Sequence, residues 1–134
     1  MEHQIRLVEV QFTDIECKIK SFVKEITAEL STALSIHSLF DETDNKKFAI
    51  VFDIELTNLN KDFKLKVKAI AHFATNIEIT PQFKESPFIE INAPAIAFPY
   101  IRVFISNVTL NAGYNPIVLP SFNFMKMAEI NKAK

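Results

Sequence analysis

Between positions 48 and 56 every second residue is large and apolar: Phe48, Ile50, Phe52, Ile54 and Leu56. Asp53 and Glu55 stand between the last three of them. A strand turns successive side chains to opposite faces, so this run is a strand with one apolar and one polar face. It constrains the chain more than any other feature, because an apolar sheet face must be covered by a second layer. The same period recurs on both sides. In residues 62–75, Phe63, Leu65, Val67, Ala69, Ala71 and Phe73 share one parity, with Lys64, Lys66 and Lys68 on the other. In residues 29–40, Leu30, Leu34, Ile36 and Phe40 oppose Ser31, Ser35 and His37. The charged stretch 41–47 and the polar stretch 58–61 read as turns. Strands joined by such short turns predict an antiparallel meander.

Residues 4–19 supply a further strand. Val8, Val10 and Phe12 alternate, then Ile15, Cys17 and Ile19 alternate in the opposite phase. One extra residue flips the facing side chains, so a bulge is expected near Thr13 and Asp14. Cys17 falls in line with apolar neighbours and reads as a small buried hydrophobe. Residues 20–28, with Phe22, Val23 and Ile26, are short for a stable helix and read as a crossover connection.

The cover for this sheet must come from residues 92–124, which hold four of the six prolines and the single glycine. Residues 76–91, broken by Pro81 and Pro87, predict a loop with a short strand or a turn of helix. Asn92 fits an N-cap, with Pro94 in the first turn. Ile96, Tyr100, Val103, Phe104 and Val108 fall on one helical stripe, widened by Ile101, Ile105 and Leu110. A helix apolar nearly all round is expected to be buried on two sides, against its own sheet and against another subunit. Pro99 either kinks it or marks its true start. Gly113 suits the C′ position, where positive φ is needed. Residues 114–124 are too proline-rich for a helix, and residues 125–133 predict a short amphipathic one carrying Met125, Met127 and Ile130.

The chain has 134 residues, a single-domain length. Its residues are 49% hydrophobic and include thirteen Phe and no Trp. Phe has no polar tip, so such an excess on a small domain predicts oligomerisation or an apolar binding patch. The net charge of −1 gives no field for steering nucleic acid or a membrane surface. One glycine cannot build a phosphate-binding loop. The three His are scattered and have no Cys partners for zinc, and the acidic turn 41–44 lacks the Gly and distal Glu of a calcium loop. No enzyme, cofactor or metal is expected. Glu2, His3 and Arg6 interrupt any leader-like apolar run, no run of about 18 apolar residues occurs, and a single cysteine fits a reducing compartment. A cytoplasmic protein is expected.

Phe98-Pro99-Tyr100-Ile101-Arg102, within the run that begins at Ala95, resembles the N-x-L-F-P-Y-A-R stretch that opens the long helix of SecB, the bacterial protein-export chaperone family. Gly113 matches the family's glycine at the helix end. The run from Val118 to Phe124, V-L-P-S-F-N-F, resembles its L-A-P-V-N-F segment, and Thr13-Asp14-Ile15 its K-D-I. The order of elements agrees along nearly the whole chain. The resemblance implies an α+β fold, with a four-stranded antiparallel sheet covered by one long helix and a short C-terminal helix. It implies a homotetramer built as a dimer of dimers, with the long helix at its centre. It also implies an ATP-independent holdase that keeps unfolded preproteins in apolar grooves and delivers them to the SecA motor.

On this footing the client groove is expected to draw on Phe22, Val23, Ile26, Leu30, Ile117, Leu119, Phe122, Phe124, Met125 and Met127. The oligomer interface is expected to draw on Tyr100, Val103, Phe104 and Val108. Partner docking would use the polar sheet face, with Asp14, Lys18, Lys64 and Lys66. There the chain departs from the family: Asp14 keeps an acidic position, whereas Lys18 and Lys66 invert two others. The chain ends on Asn131-Lys132-Ala133-Lys134 rather than on an acidic tail. Docking of SecA in the usual manner is therefore in question. A chaperone dedicated to one partner, such as an antitoxin, or a small binding domain of another kind, remains an alternative.

Overall fold

The computed structural model describes residues 3–20 and 30–133. The alternating runs form β1 (Ile5–Ile19), β2 (Leu30–Phe40), β3 (Lys47–Asn58) and β4 (Phe63–Thr75). They lie in one antiparallel sheet ordered β1-β4-β3-β2. β2 to β4 are the expected meander, and the chain passes from one sheet edge to the other between β1 and β2. Phe48, Ile50, Phe52, Ile54 and Leu56 of β3 and the six apolar residues of β4 all face inward and are buried. Each of the Phe, Ile, Leu and Val side chains among them is worth roughly 1.5–3 kcal/mol on burial. The exposed ion pairs Lys47–Asp44 and Lys68–Asp53 contribute about 0–1 kcal/mol each, so the apolar face holds the sheet.

Side chains close the two hairpins. Asp41 accepts from the N–H and Oγ1 of Thr43 at 2.8 and 2.7 Å, which holds its carboxyl below the usual range. Asn58, buried at the end of β3, accepts from the N–H groups of Asp62 and Phe63 at 3.1 and 3.2 Å. It also donates to Asp62 Oδ1.

β1 carries the expected bulge. Asp14 has φ +50 and the register with β4 shifts between Thr13 and Glu16. A second shift, between Leu7 and Glu9, was not expected. Together they correct the inward set to Ile5, Leu7, Val10, Phe12, Cys17 and Ile19. Val8 and Ile15 point outward instead, because each sits at a bulge that breaks the period of two. Cys17 is half-buried, and burial pushes its thiol up, away from thiolate chemistry.

The covering layer begins with α1 (Pro81–Lys84), where Thr80 Oγ1 accepts from Phe83 N–H at 3.2 Å as N-cap. A π-helical turn, Phe88–Asn92, runs directly into α2 (Ala93–Asn111), closed by Ala93 N–H to the Phe88 carbonyl. Asn92 is therefore not an N-cap: its backbone is already helical and its side chain makes no capping bond. Pro99 lies inside α2.

α2 has distinct inner and outer faces. Ala93, Ala97, Ile101, Ile105 and Thr109 meet the protein interior, whereas Ile96, Tyr100, Val103 and Leu110 point out. The small Ala side chains let the helix lie close to the sheet. Among the described residues, one helical stretch, residues 81–111, has the length and mean hydropathy of a membrane span; its inner face lies on the sheet as in a core helix.

α2 ends as the glycine predicts. Gly113 has φ +100, Tyr114 N–H donates to the Thr109 carbonyl at 3.1 Å, and Gly113 N–H to that of Leu110 at 3.0 Å. An extended strip comes next, then α3 (Phe124–Ala133). On α3, Phe124, Met127 and Ala128 face inward; Met125 and Ile130 are exposed, contrary to the expected stripe. Buried Thr109 accepts from Ile117 N–H at 2.9 Å. Thr109→Val keeps the shape but leaves that N–H without a partner. It is expected to cost about 1–3 kcal/mol, read as a lower urea midpoint at unchanged slope.

Candidate functional site

Edge strand β2 and the covering layer border a groove of about 350 Å³, in which Ser35, His37, Ser38 and Glu90 stand among apolar residues. Leu34 and Ile36 of β2 form one wall, the π-turn residues Ile89 and Glu90 the other, and Phe124, Met127 and Ala128 of α3 the end. Nothing in the described chain pairs with the outer backbone edge of β2. An edge strand presents a row of N–H and C=O groups to any extended chain. The groove thus sets a backbone template beside apolar subsites, one of them the adaptable thioether of Met127.

Expected groove residues separate into three groups. Ile117, Leu119 and Phe124 are buried in the core of this chain, with Phe124 also reaching the groove. Phe122 and Met127 are half-buried against that core. Leu30, 39% exposed, and Met125, 57% exposed, stand outside it. Phe22, Val23 and Ile26 lie outside the described residues. Sequence reasoning missed Leu34, Ile36, Ile89, Glu90 and Ala128 as groove residues. The F-I-E-I run at 88–91 carried the available signal, an apolar cluster directly ahead of the long helix.

A second apolar surface lies on the opposite edge. Val8, Tyr100, Val103 and Phe104 border a hollow of about 420 Å³ between β1 and α2. Tyr100 and Val103 are 58% and 60% exposed, while Phe104 and Val108 pack on the protein's own core. Phe104 stacks on Phe12 with centroids 3.8 Å apart. The four expected interface residues thus divide, two outward and two inward.

The polar sheet face gathers Lys18, Lys64 and Lys66 as expected, with Asp14 at the rim of a trough of about 660 Å³. Carboxylates are interleaved with them. Lys66 is flanked by Glu16 on β1 and Glu55 on β3. Lys18 pairs with Glu16 at 3.1 Å; Lys18, then Lys64 and Lys66, hold the Glu16 carboxyl below the usual range. The face is a mixed lattice rather than an inverted one, because Glu16 restores some of the acidity that Lys18 removes. Among the described residues no three His, Cys, Asp or Glu gather to hold a metal ion.

Comparisons with known proteins agree with this architecture. The chain is 30% identical over 117 residues to an uncharacterised protein of Methanocaldococcus jannaschii, covering 83% of this chain and 74% of that one. It is 28% identical over 88 residues to the protein-export protein SecB of Afipia carboxidovorans, spanning 65% of this chain but only 55% of that protein. Its fold matches the Mycobacterium tuberculosis SecB-like chaperone solved in complex with a ChAD peptide from the HigA1 antitoxin. The TM-score is 0.68 at 14% identity, over 88% of this chain and 90% of that one. A family model described as preprotein translocase subunit SecB matches residues 7–134. With nearly the whole chain inside that match, and with the sheet and helices in the same arrangement, the protein belongs to the SecB family of non-enzymatic chaperones.

Proposed function

We propose that this protein is a cytoplasmic, ATP-independent holdase that keeps unfolded or preprotein chains extended for export, acting as a homotetramer. The observation that carries this is the partly apolar groove beside the outer edge of β2. Backbone pairing along an edge strand is indifferent to sequence, and alternate client side chains can drop into the groove. Phe124 and Met127 suit varied partners for the same reason. Asp14, Lys18, Lys64 and Lys66 mark the face proposed for docking a partner such as SecA. Its mixed charge predicts binding that weakens as salt rises.

Met127→Glu places a charge in the groove. It is expected to weaken suppression of the aggregation of a urea-denatured client about tenfold or more, the equivalent of one lost apolar anchor, with the circular dichroism spectrum retained. Wild-type protein that leaves aggregation unchanged at stoichiometric excess sinks the holdase reading.

A second reading is a chaperone dedicated to one partner. It is favoured by the fold match to the M. tuberculosis protein, whose structure carries an antitoxin peptide. It predicts tight binding of a single cognate protein and none of generic unfolded chains, measured side by side by calorimetry.

A further inference from the structure

Residues 115–122 are built like a bound peptide. Ile117 and Leu119 are buried while Val118 between them is 71% exposed, the period of an extended chain. Among the described residues, none of 115–122 makes a backbone–backbone hydrogen bond. Pro116 and Pro120 have no N–H to offer a ladder. The backbone is fastened at Ile117: its N–H donates to Thr109 Oγ1 at 2.9 Å, and its carbonyl accepts from Ser106 Oγ at 2.6 Å. Beyond the fastening, Phe122 and Phe124 stand edge-on to Phe98 at 5.1 and 5.6 Å. Phe124 also lines the β2-edge groove.

We infer that residues 115–122 are an internal stand-in for the client: they occupy apolar surface of α2 that an extended foreign chain can take, and the Ser106–Ile117–Thr109 clasp governs how often that surface is bared. This rests on the holdase reading above. A client that needs the strip undocked binds with its intrinsic affinity reduced by the fraction of molecules that are open. Loosening the clasp therefore raises apparent affinity without altering any client contact. If the strip itself held the client, loosening the clasp would weaken binding instead.

Ser106→Ala removes one hydroxyl from a partly exposed position and leaves Thr109 in place. In the full-length protein, amide exchange at Ile117 and Leu119 is expected to accelerate about fivefold, the equivalent of one net hydrogen bond. The dissociation constant for fluorescein-labelled, reduced and carboxymethylated lactalbumin, a permanently unfolded chain, is expected to fall by the same factor. Ile117→Ala, which removes the apolar anchor, is expected to move both readouts further. Faster exchange with unchanged or weaker client binding overturns the inference. So does exchange that neither variant changes. Wild-type protein that binds no unfolded chain while the variants still exchange faster removes the holdase reading, and leaves the clasp a purely structural feature.

Discussion

Ile101→Asp is expected to leave no folded protein at 25 °C. Ile101 is fully buried on the inner stripe of α2, between Ala97 and Ile105. Ionised carboxylates in such places shift by up to about 3–5 pKa units toward the neutral form, which costs roughly 4 kcal/mol at neutral pH, where the group becomes protonated instead. Loss of the Ile side chain adds about 2–5 kcal/mol from packing. The sum matches the whole stability of an ordinary domain, about 5–15 kcal/mol. Far-UV circular dichroism and urea titration read the result. Val103→Asp, two residues further along the same helix but 60% exposed, is the control and is expected to keep the helix. Retention of a wild-type urea midpoint by Ile101→Asp would mean that the helix is rotated from the orientation described.

That pair of substitutions marks where sequence reasoning stopped. The existence and length of the long helix were legible from composition, Pro94 and Gly113; its orientation was not. With apolar residues on nearly every side, periodicity cannot say which stripe faces the sheet. Ala93, Ala97 and buried Thr109 make the contact beside Ile101 and Ile105, and such small or polar residues add nothing to an apolar stripe. The strands show the opposite case. In β3 and β4 one parity is apolar without a break, so it settled the inward residues, although Ala49 and Val51 on the other face of β3 are buried as well. In β1 the same rule worked only between bulges. The bulge at Asp14 had a visible phase change, whereas the shift after Leu7 is hidden because Leu7, Val8 and Val10 are all apolar.

The groove was less legible for a different reason. Its walls come from β2, the π-turn and α3, elements far apart in sequence whose juxtaposition no local pattern encodes. The strip at 114–124 was singled out as too proline-rich for a helix, which holds up to Phe124, the first residue of α3. Its inward residues could not be divided between core and groove until Thr109 and Ser106 were seen to hold Ile117 against α2. A buried hydroxyl on a helix carries no periodic signal.

The second large effect concerns assembly. Val103→Asp is expected to convert the proposed tetramer to smaller species while each protomer stays folded. Tyr100 and Val103 stand outward on α2 beside Val8 of β1, around one hollow, an apolar patch of the kind that a soluble domain covers with a partner. A two-fold contact uses the same patch on both subunits, so one substitution enters the interface twice. Each buried, unpaired charge costs about 2 kcal/mol or more, and two of them raise the dissociation constant by a factor of roughly a thousand. Phe104→Asp is a poorer probe, because Phe104 stacks on Phe12 within its own chain and a charge there also loosens the helix from β1. Analytical ultracentrifugation of wild-type and Val103→Asp protein at micromolar concentration decides the matter. A wild-type protein that sediments as a monomer removes the assembly, and with it the explanation for the outward apolar face of α2. An intact tetramer in Val103→Asp means that the subunits meet elsewhere.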